Sequence, residues 1–269
     1  MESKIAAALN VRFGPVALLW SDKKPAGAMQ FKEGKWGCVM WLFANAASGR
    51  TAVFDRNTFG CLGGGTGLGF GNQYLNWWGG VDAFCRFLST GMAETGLTRE
   101  MIQTSRGEEY VENLLHGERY IKSPELVKKF VELMPITDIP AKYVVFKPLR
   151  EVASDKETPV VVIFLANPDQ LAALTVLANY TRESNESVII PFCAGCQALG
   201  IFPYREAKSD NPRAVIGLVD LSARKNVRKQ LGKDVMTFAV PHKMFQEMEE
   251  NVEESFLGKE EWRLFLKEE

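Results

Sequence analysis

The strongest constraint on the fold is a strand-to-helix junction in the second half of the chain. Val160 to Leu165 is a run of apolar, mostly β-branched residues, which is typical of a buried strand. Asn167-Pro168-Asp169 follows at once and supplies an N-cap residue, a proline suited to the first helical turn and an acid at the positive end of the helix dipole. A buried strand that leads directly into a capped helix indicates a fold in which helices pack on a sheet.

Strands and helices alternate at irregular spacing along the rest of the chain. The residue patterns predict further strands at 15–20, 51–54, 143–147, 187–191, 214–219 and 235–240, and helices at 37–47, 81–89, 108–115, 124–133 and from 241 onward. We therefore predict an α+β fold, a mixed β-sheet with packed helices, with an α/β fold as the alternative. We expect one compact unit over residues 1–269, with a weak subdivision near the charged turn at 154–158.

Composition excludes several classes of function. With 269 residues, of which 46% are hydrophobic, the chain can bury a core without disulfides. A net charge of -1 leaves no basic footprint and predicts no nucleic-acid partner. The N-terminus lacks the pattern of a signal peptide, and the apolar runs are too short to cross a bilayer. We expect a cytoplasmic protein with no membrane partner, whose five cysteines are thiols or metal ligands.

Four cysteines lie where they could hold a metal. Cys193 and Cys196 form a Cys-Ala-Gly-Cys motif directly after a predicted strand, and the small residues between them let two sulfurs face one metal. Cys61 opens a glycine-rich segment whose amides could donate hydrogen bonds to sulfur. Cys38 lies at a predicted helix start, where the helix dipole lowers a thiol pKa. The four could ligate an iron–sulfur cluster, or alternatively zinc.

Two other interpretations of these cysteines stay open. Free cysteine is among the most buried residue types, so the four could be inert core residues that bind no metal. A single CxxC motif could also be a redox pair or hold a nucleophile. Cys85 is different, since it shares an apolar helix face with Phe84 and Leu88 and is predicted to lie in the core.

The segment 60–71 holds seven glycines in twelve residues. This density predicts tight turns or close approach to a ligand, and it argues against a regular element. The segment has no G-x-G-x-x-G register and no following Gly-Lys-Ser/Thr, so it matches neither common phosphate-binding motif. A cradle of backbone amides for an anion or a flavin phosphate remains open, as does a purely structural loop. The candidate cofactor-binding residues are Gly63, Gly64, Gly65 and Gly67.

Four tryptophans support a second hypothesis. Trp36, Trp41, Trp77 and Trp78 flank Cys38 and the glycine-rich segment in sequence. They could line a pocket, although such aromatic residues often simply fill a core. Asp220, Arg224 and Arg50 are polar residues beside element ends, where site residues often lie, although caps or salt bridges are the favoured role for each.

Two sets of residues are together typical of a known family. The first set is Cys38 with the helix that ends in Ala47-Ser48-Gly49, followed by Gly60-Cys61 and its glycines. The second set is Cys193 and Cys196, Gly217-Leu218 with Ala223-Arg224, Val240-Pro241, and the segment from Phe245 to Leu257. In these residues the chain resembles the domain of unknown function family 169. The resemblance implies an uncharacterised prokaryotic, cytoplasmic protein whose shared cysteines look like ligands.

Two hypotheses about function follow. The first is a protein that binds a metal or an iron–sulfur cluster through its cysteines, with a redox role and a redox partner. The second is a small-molecule-binding or regulatory module that uses the glycine-rich segment and the tryptophans without metal. The sequence assigns neither a reaction nor a catalytic residue.

Overall fold

The computed structural model describes residues 1–105, 107–153 and 155–265. The strands are β1 (Val16–Ser21), β2 (Ala52–Phe54), β3 (Tyr143–Pro148), β4 (Val161–Ala166), β5 (Val188–Ile189), β6 (Ala214–Gly217) and β7 (Met236–Pro241). The helices are α1 (Lys4–Ala8), α2 (Val39–Ala47), α3 (Leu62–Leu68), α4 (Gly80–Leu88), α5 (Arg99–Ser105), α6 (Val111–His116), α7 (Pro124–Glu132), α8 (Pro168–Asn179), α9 (Gly195–Leu199), α10 (Ile201–Ala207), α11 (Leu221–Leu231), α12 (His242–Glu250) and α13 (Glu260–Phe265). Short 3-10 turns lie at Gln73–Asn76, Ala93–Thr95, Glu108–Tyr110, Leu149–Glu151 and Phe256–Gly258.

The strands of the described chain form one mixed sheet in the order β2-β3-β1-β4-β7-β6-β5. Neighbouring strands are antiparallel except for the parallel pair β5 and β6. Val16 of β1 lies opposite Pro148 of β3, and Val161 of β4 lies opposite Pro241 of β7. The predicted α+β fold with a mixed sheet is confirmed.

Both faces of the sheet are buried. In β4, Val161, Ile163 and Leu165 belong to one core cluster, and the alternate residues Val162, Phe164 and Ala166 belong to the other. This period of two explains why a strand covered on both faces has a continuous apolar sequence. The first cluster includes residues of α2, α9, α10 and α11 and three of the cysteines, so we call its side of the sheet the site face. Residues of α1, α8 and α12 cover the opposite face.

The helix start predicted at Asn167 is confirmed. The Asn167 side chain accepts a hydrogen bond from the Gln170 N–H at 2.8 Å, and the Gln170 side chain accepts one from the Asn167 N–H at 3.0 Å. This reciprocal pair is a capping box, which satisfies two backbone donors at the start of α8. Within the described residues, no helix has the length and apolar character needed to cross a membrane.

The chain divides into two compact units. Unit 1 comprises Met1–Gly71 and Thr137–Glu269, and unit 2 comprises Asn72–Ile136. The two segments of unit 1 lie side by side at the division, because the Gly71 N–H donates to the Thr137 carbonyl at 3.1 Å and the Ile139 N–H donates to the Gly69 carbonyl at 2.8 Å. The single-domain arrangement and the weak subdivision near 154–158 stay predictions, and residue 154 itself lies outside the described residues.

Unit 2 has apolar clusters of its own. Helices α4 and α7 enclose a cluster that includes Phe84, Cys85 and Val127. The ring of Tyr74 stacks on Phe84 with 4.1 Å between centroids. A smaller cluster consists of Met92, Ile102, Val111 and Leu114. These contacts give unit 2 an internal core, and the prediction that Cys85 is a core residue is confirmed by its 1% exposure.

Candidate functional site

Four of the five cysteines lie at or beside helix starts in unit 1. Cys38 is the N-cap of α2 and Cys61 is the N-cap of α3. Cys193 and Cys196 flank Ala194, the N-cap of α9. The Cys61 sulfur accepts a hydrogen bond from the Gly64 N–H at 3.2 Å. This sulfur therefore caps α3 in the way that a side-chain oxygen usually does.

Hydrogen bonds join the starts of α3, α9 and α11. The Cys196 thiol donates to the Gly63 carbonyl at 3.2 Å and so links α9 to α3. The Gly195 N–H donates to Asp220 Oδ2 at 3.4 Å, and Asp220 is the N-cap of α11. The Cys-Ala-Gly-Cys segment is thus tied on one side to the glycine-rich helix and on the other to α11.

Helix α2 packs against the same group of helices. The Trp41 indole N–H donates to the Asn226 carbonyl of α11 at 3.0 Å. A Cβ placed on Gly64 would lie 2.7 Å from Val39 Cγ2, so α3 approaches α2 closely. The starts of α2 and α11 therefore lie beside the cysteines, where the positive ends of their helix dipoles act.

Most of the glycine-rich segment forms helix α3, Leu62–Leu68. The prediction that this segment contains no regular element is therefore wrong. A Cβ on Gly67 would lie 2.8 Å from the Gln197 backbone nitrogen and 2.9 Å from Cys196 Sγ. Glycine is needed there because α9 passes directly against the backbone of α3, and this packing overrides the low helix propensity of glycine. Helix α3 contains all four candidate cofactor-binding residues, Gly63, Gly64, Gly65 and Gly67. Their binding of a cofactor stays a prediction.

Burial favours the neutral form of the cysteine thiols. It raises the pKa of Cys61 to about 11 and that of Cys193 to about 12. Burial also raises the pKa of Cys38, although a hydrogen bond with the Asn226 side chain acts in the opposite direction. The desolvation of these groups outweighs the helix-start position that was expected to lower the Cys38 pKa.

The thiols also affect one another. Burial is the main reason why the pKa of Cys196 lies well above 9.0, and neighbouring charges raise it further, in the order Cys61, Cys38, Asp220 and Cys193. The pKa of Cys61 is likewise raised by Cys38. The backbone contacts agree with this mutual influence. The Cys196 thiol donates to the Gly63 carbonyl, two residues after Cys61, and a Cβ on Gly60 would lie 2.4 Å from the carbonyl oxygen of Gly37, the neighbour of Cys38.

Asp220 belongs to this group, although the sequence favoured a cap or a salt bridge over a role in a site. Its expected role as a cap is confirmed, since Oδ1 accepts a hydrogen bond from the Ser222 N–H at 2.8 Å. Burial raises its pKa, and three backbone N–H groups act to lower it. One sequence signal could have assigned Asp220 to the site. It is an acidic residue between a strand and a helix of the site face, and Cys193 occupies the same kind of position.

The four tryptophans do not form one cluster within either unit. Trp36 and Trp41 pack edge to face in unit 1, with 5.3 Å between ring centroids. Trp77 packs on Phe84 in unit 2 at 5.1 Å. Trp78 also belongs to unit 2 and is 48% exposed.

In the parts of the chain that the structure describes, no three His, Cys, Asp or Glu side chains are arranged to hold a metal ion as they stand. Metal ligation by Cys38, Cys61, Cys193 and Cys196 therefore stays a prediction. The arrangement provides four thiols and one carboxylate at the starts of α2, α3, α9 and α11.

The fold and the site define an α+β protein whose site face carries four neighbouring cysteines at helix starts. The profile of the domain of unknown function family 169, described as uncharacterised ArCR, matches residues 4–251. The chain belongs to this family, which confirms the resemblance seen in the sequence. No curated protein and no solved structure matches the chain.

Proposed function

We propose that this protein binds an iron–sulfur cluster, or alternatively zinc, through Cys38, Cys61, Cys193 and Cys196. The observation that carries the proposal is that the three segments bearing these thiols, at the starts of α2, α3 and α9, contact one another in unit 1. Thiolates are the usual ligands of iron–sulfur clusters and of many structural zinc sites. An iron–sulfur cluster at this position would supply one-electron redox chemistry in the cytoplasm.

The surroundings act on an anionic cluster in two directions. Four thiolates and inorganic sulfide carry negative charge, which the positive end of the α2 dipole would stabilise and the neighbouring Asp220 carboxylate would oppose. The Gly64 N–H already donates to the Cys61 sulfur, and hydrogen bonds of this kind tune the reduction potential of a cluster. A bound metal would replace the thiol protons, because thiolate is the form that ligates.

The alternatives have less support. Reactive cysteines are those with a depressed pKa, whereas burial raises the pKa of all four thiols here. A small-molecule site on the glycine-rich segment would need exposed amides. Gly64, Gly65 and Gly67 are instead buried in a helix, and Gly67 packs against α9.

Anaerobic reconstitution with iron and sulfide tests the proposal. We expect the loaded protein to contain iron and sulfide and to absorb near ~400 nm. Single Cys→Ser changes at positions 38, 61, 193 and 196 should each lose most of the iron, because a cluster needs its full thiolate set. Iron and sulfide content, rather than stability, is the discriminating measurement.

Cys85→Ala is the matched control, since Cys85 is a buried cysteine of unit 2. Its iron content should equal that of the parent protein. A parent protein that contains zinc but no sulfide, together with loss of that zinc in the same four variants, would support the zinc alternative. A parent protein that binds neither metal after reconstitution would contradict the proposal.

A further inference from the structure

One side of α11 carries exposed residues, the first of which, Leu221, follows Asp220 of the cysteine site. Leu221, Lys225, Arg228 and Lys229 are exposed and occupy positions i, i+4, i+7 and i+8, which share one side of a helix. Ala223, Val227 and Leu231 are buried and anchor the opposite side to the core. We call the four exposed residues the α11 row.

The cations of the α11 row, Lys225, Arg228 and Lys229, take part in no salt bridge of the described residues. Helix α11 contains four basic residues and no acidic one. In a chain whose net charge is -1, this is a local concentration of positive charge rather than a general property of the surface.

Exposed apolar side chains lie at or shortly before the starts of α11, α2 and α9. Leu221 is 63% exposed and directly follows Asp220, the residue that holds Gly195. Trp36 is 54% exposed and packs edge to face on Trp41, which donates to the backbone of α11. Phe192, at 41% exposure, directly precedes Cys193. Aromatic and aliphatic groups beside arginine and lysine are typical of protein–protein interfaces.

We propose that the α11 row, with Trp36 and Phe192, is the docking surface for an acidic electron-carrier protein. This inference rests on the proposed function, because three of the four thiols are less than 9% exposed and a partner must approach closely to reach a buried cluster. Positive charge on the row complements an acidic partner and speeds the encounter. A protein is favoured over nucleic acid because the cations are few and Leu221 adds an aliphatic contact.

The test is a binding measurement with a purified acidic [2Fe–2S] ferredoxin as the probe and the reconstituted protein as the receptor. We expect saturable binding at low ionic strength that weakens as salt is added. The variant K225E/R228E/K229E should bind at least about tenfold more weakly, since each reversal turns attraction into repulsion. Should this variant melt at a lower temperature, K225Q/R228Q/K229Q serves in its place and should bind more weakly than the parent.

The matched control is K122E/K128E/K129E, which makes the same charge change at exposed lysines of unit 2. It should bind like the parent. Both reversal variants should keep their iron, so loss of docking is distinguishable from loss of the cluster. Two results would overturn the docking surface and leave the proposed function standing. The first is a loaded protein that does not bind the ferredoxin, and the second is a ferredoxin that binds both reversal variants with the same affinity. Salt-dependent binding of single-stranded RNA or anionic vesicles by the row, without binding of the carrier, would also overturn it.

Discussion

Gly67 sets the distance between two helices of the site. Alanine at this position would gain about 1 kcal/mol in helix propensity. Its Cβ would, however, lie 2.8 Å from the Gln197 backbone nitrogen, which cannot move without shifting α9. Overpacking of this kind costs about 1–3 kcal/mol, so we expect Gly67→Ala to lower the free energy of unfolding. Urea denaturation measures the difference.

Gly14→Ala is the control for this change. Gly14 has no atom within 4 Å of an added Cβ and no positive φ. The free energy of unfolding should therefore change by less than about 0.5 kcal/mol. If Gly67→Ala proves as stable as the parent protein, close approach is not the reason for glycine in α3.

At the scale of elements, Glu206 ties α10 to the segment that enters β6. Its side chain is 3% exposed, and it accepts hydrogen bonds from Arg213 Nε at 3.0 Å and from Arg205 Nη2 at 2.7 Å. Burial acts to raise the pKa of Glu206, but the hydrogen bonds and charges of the two arginines together outweigh it. The pKa of Glu206 therefore lies below its ordinary value of 4.5.

This lowered pKa predicts a pH dependence. An acid whose pKa is lower in the folded state stabilises the fold above its unfolded pKa, and the stabilisation is lost as pH falls through the folded pKa. We expect the parent to lose stability below about pH 4.5 more steeply than Glu206→Gln, which cannot ionise there. At neutral pH the variant should be less stable by roughly 1.5–3 kcal/mol, as for hydrogen bonds to a charged group. Equal slopes of unfolding free energy against pH would contradict this role.

The sequence predicted those elements whose local pattern and final environment agree. β4 is apolar along its whole length because both faces of the sheet are buried, and the N-cap residue of α8 is evident in the sequence. Helix α3 was missed because its glycines oppose helix formation locally and only the contact with α9 explains them. Helix α9 has five residues, too few for a periodic pattern.

The sequence predicted which residues form the site but not how they are arranged. The four cysteines could be chosen because thiols are common metal ligands and these four lie near predicted helix starts or strand ends. Their meeting depends on contacts such as the one between Cys196 and Gly63, which are 133 positions apart. A local pattern does not encode a contact of that range, and for the same reason Asp220 was interpreted only as a cap or an ion-pair residue.

At the scale of the whole molecule, unit 2 is inserted between neighbouring points of unit 1. The core clusters on both faces of the sheet consist of residues from unit 1 alone. We therefore expect a variant in which a short Gly-Ser linker replaces residues 72–136 to fold and to load the same amount of iron. Circular dichroism, cooperative urea unfolding and iron analysis check this expectation.

A partial deletion provides the control. Removing only residues 118–136 takes away α7 and exposes the apolar cluster that α4 shares with it. This variant should be less soluble than the complete deletion, because exposed apolar surface promotes aggregation. An unfolded complete deletion would show that unit 1 depends on unit 2 for its stability.

The separation of the cysteines along the chain also fixes when the site can exist. A ribosome makes about 5–20 residues per second, so Cys193 follows Cys61 after a delay on the order of 10 s. During that interval the nascent chain carries two of the four thiols and neither α9 nor α11. A group held by all four thiols could therefore be bound only after Cys196 has been synthesised, well past the midpoint of the 269 residues.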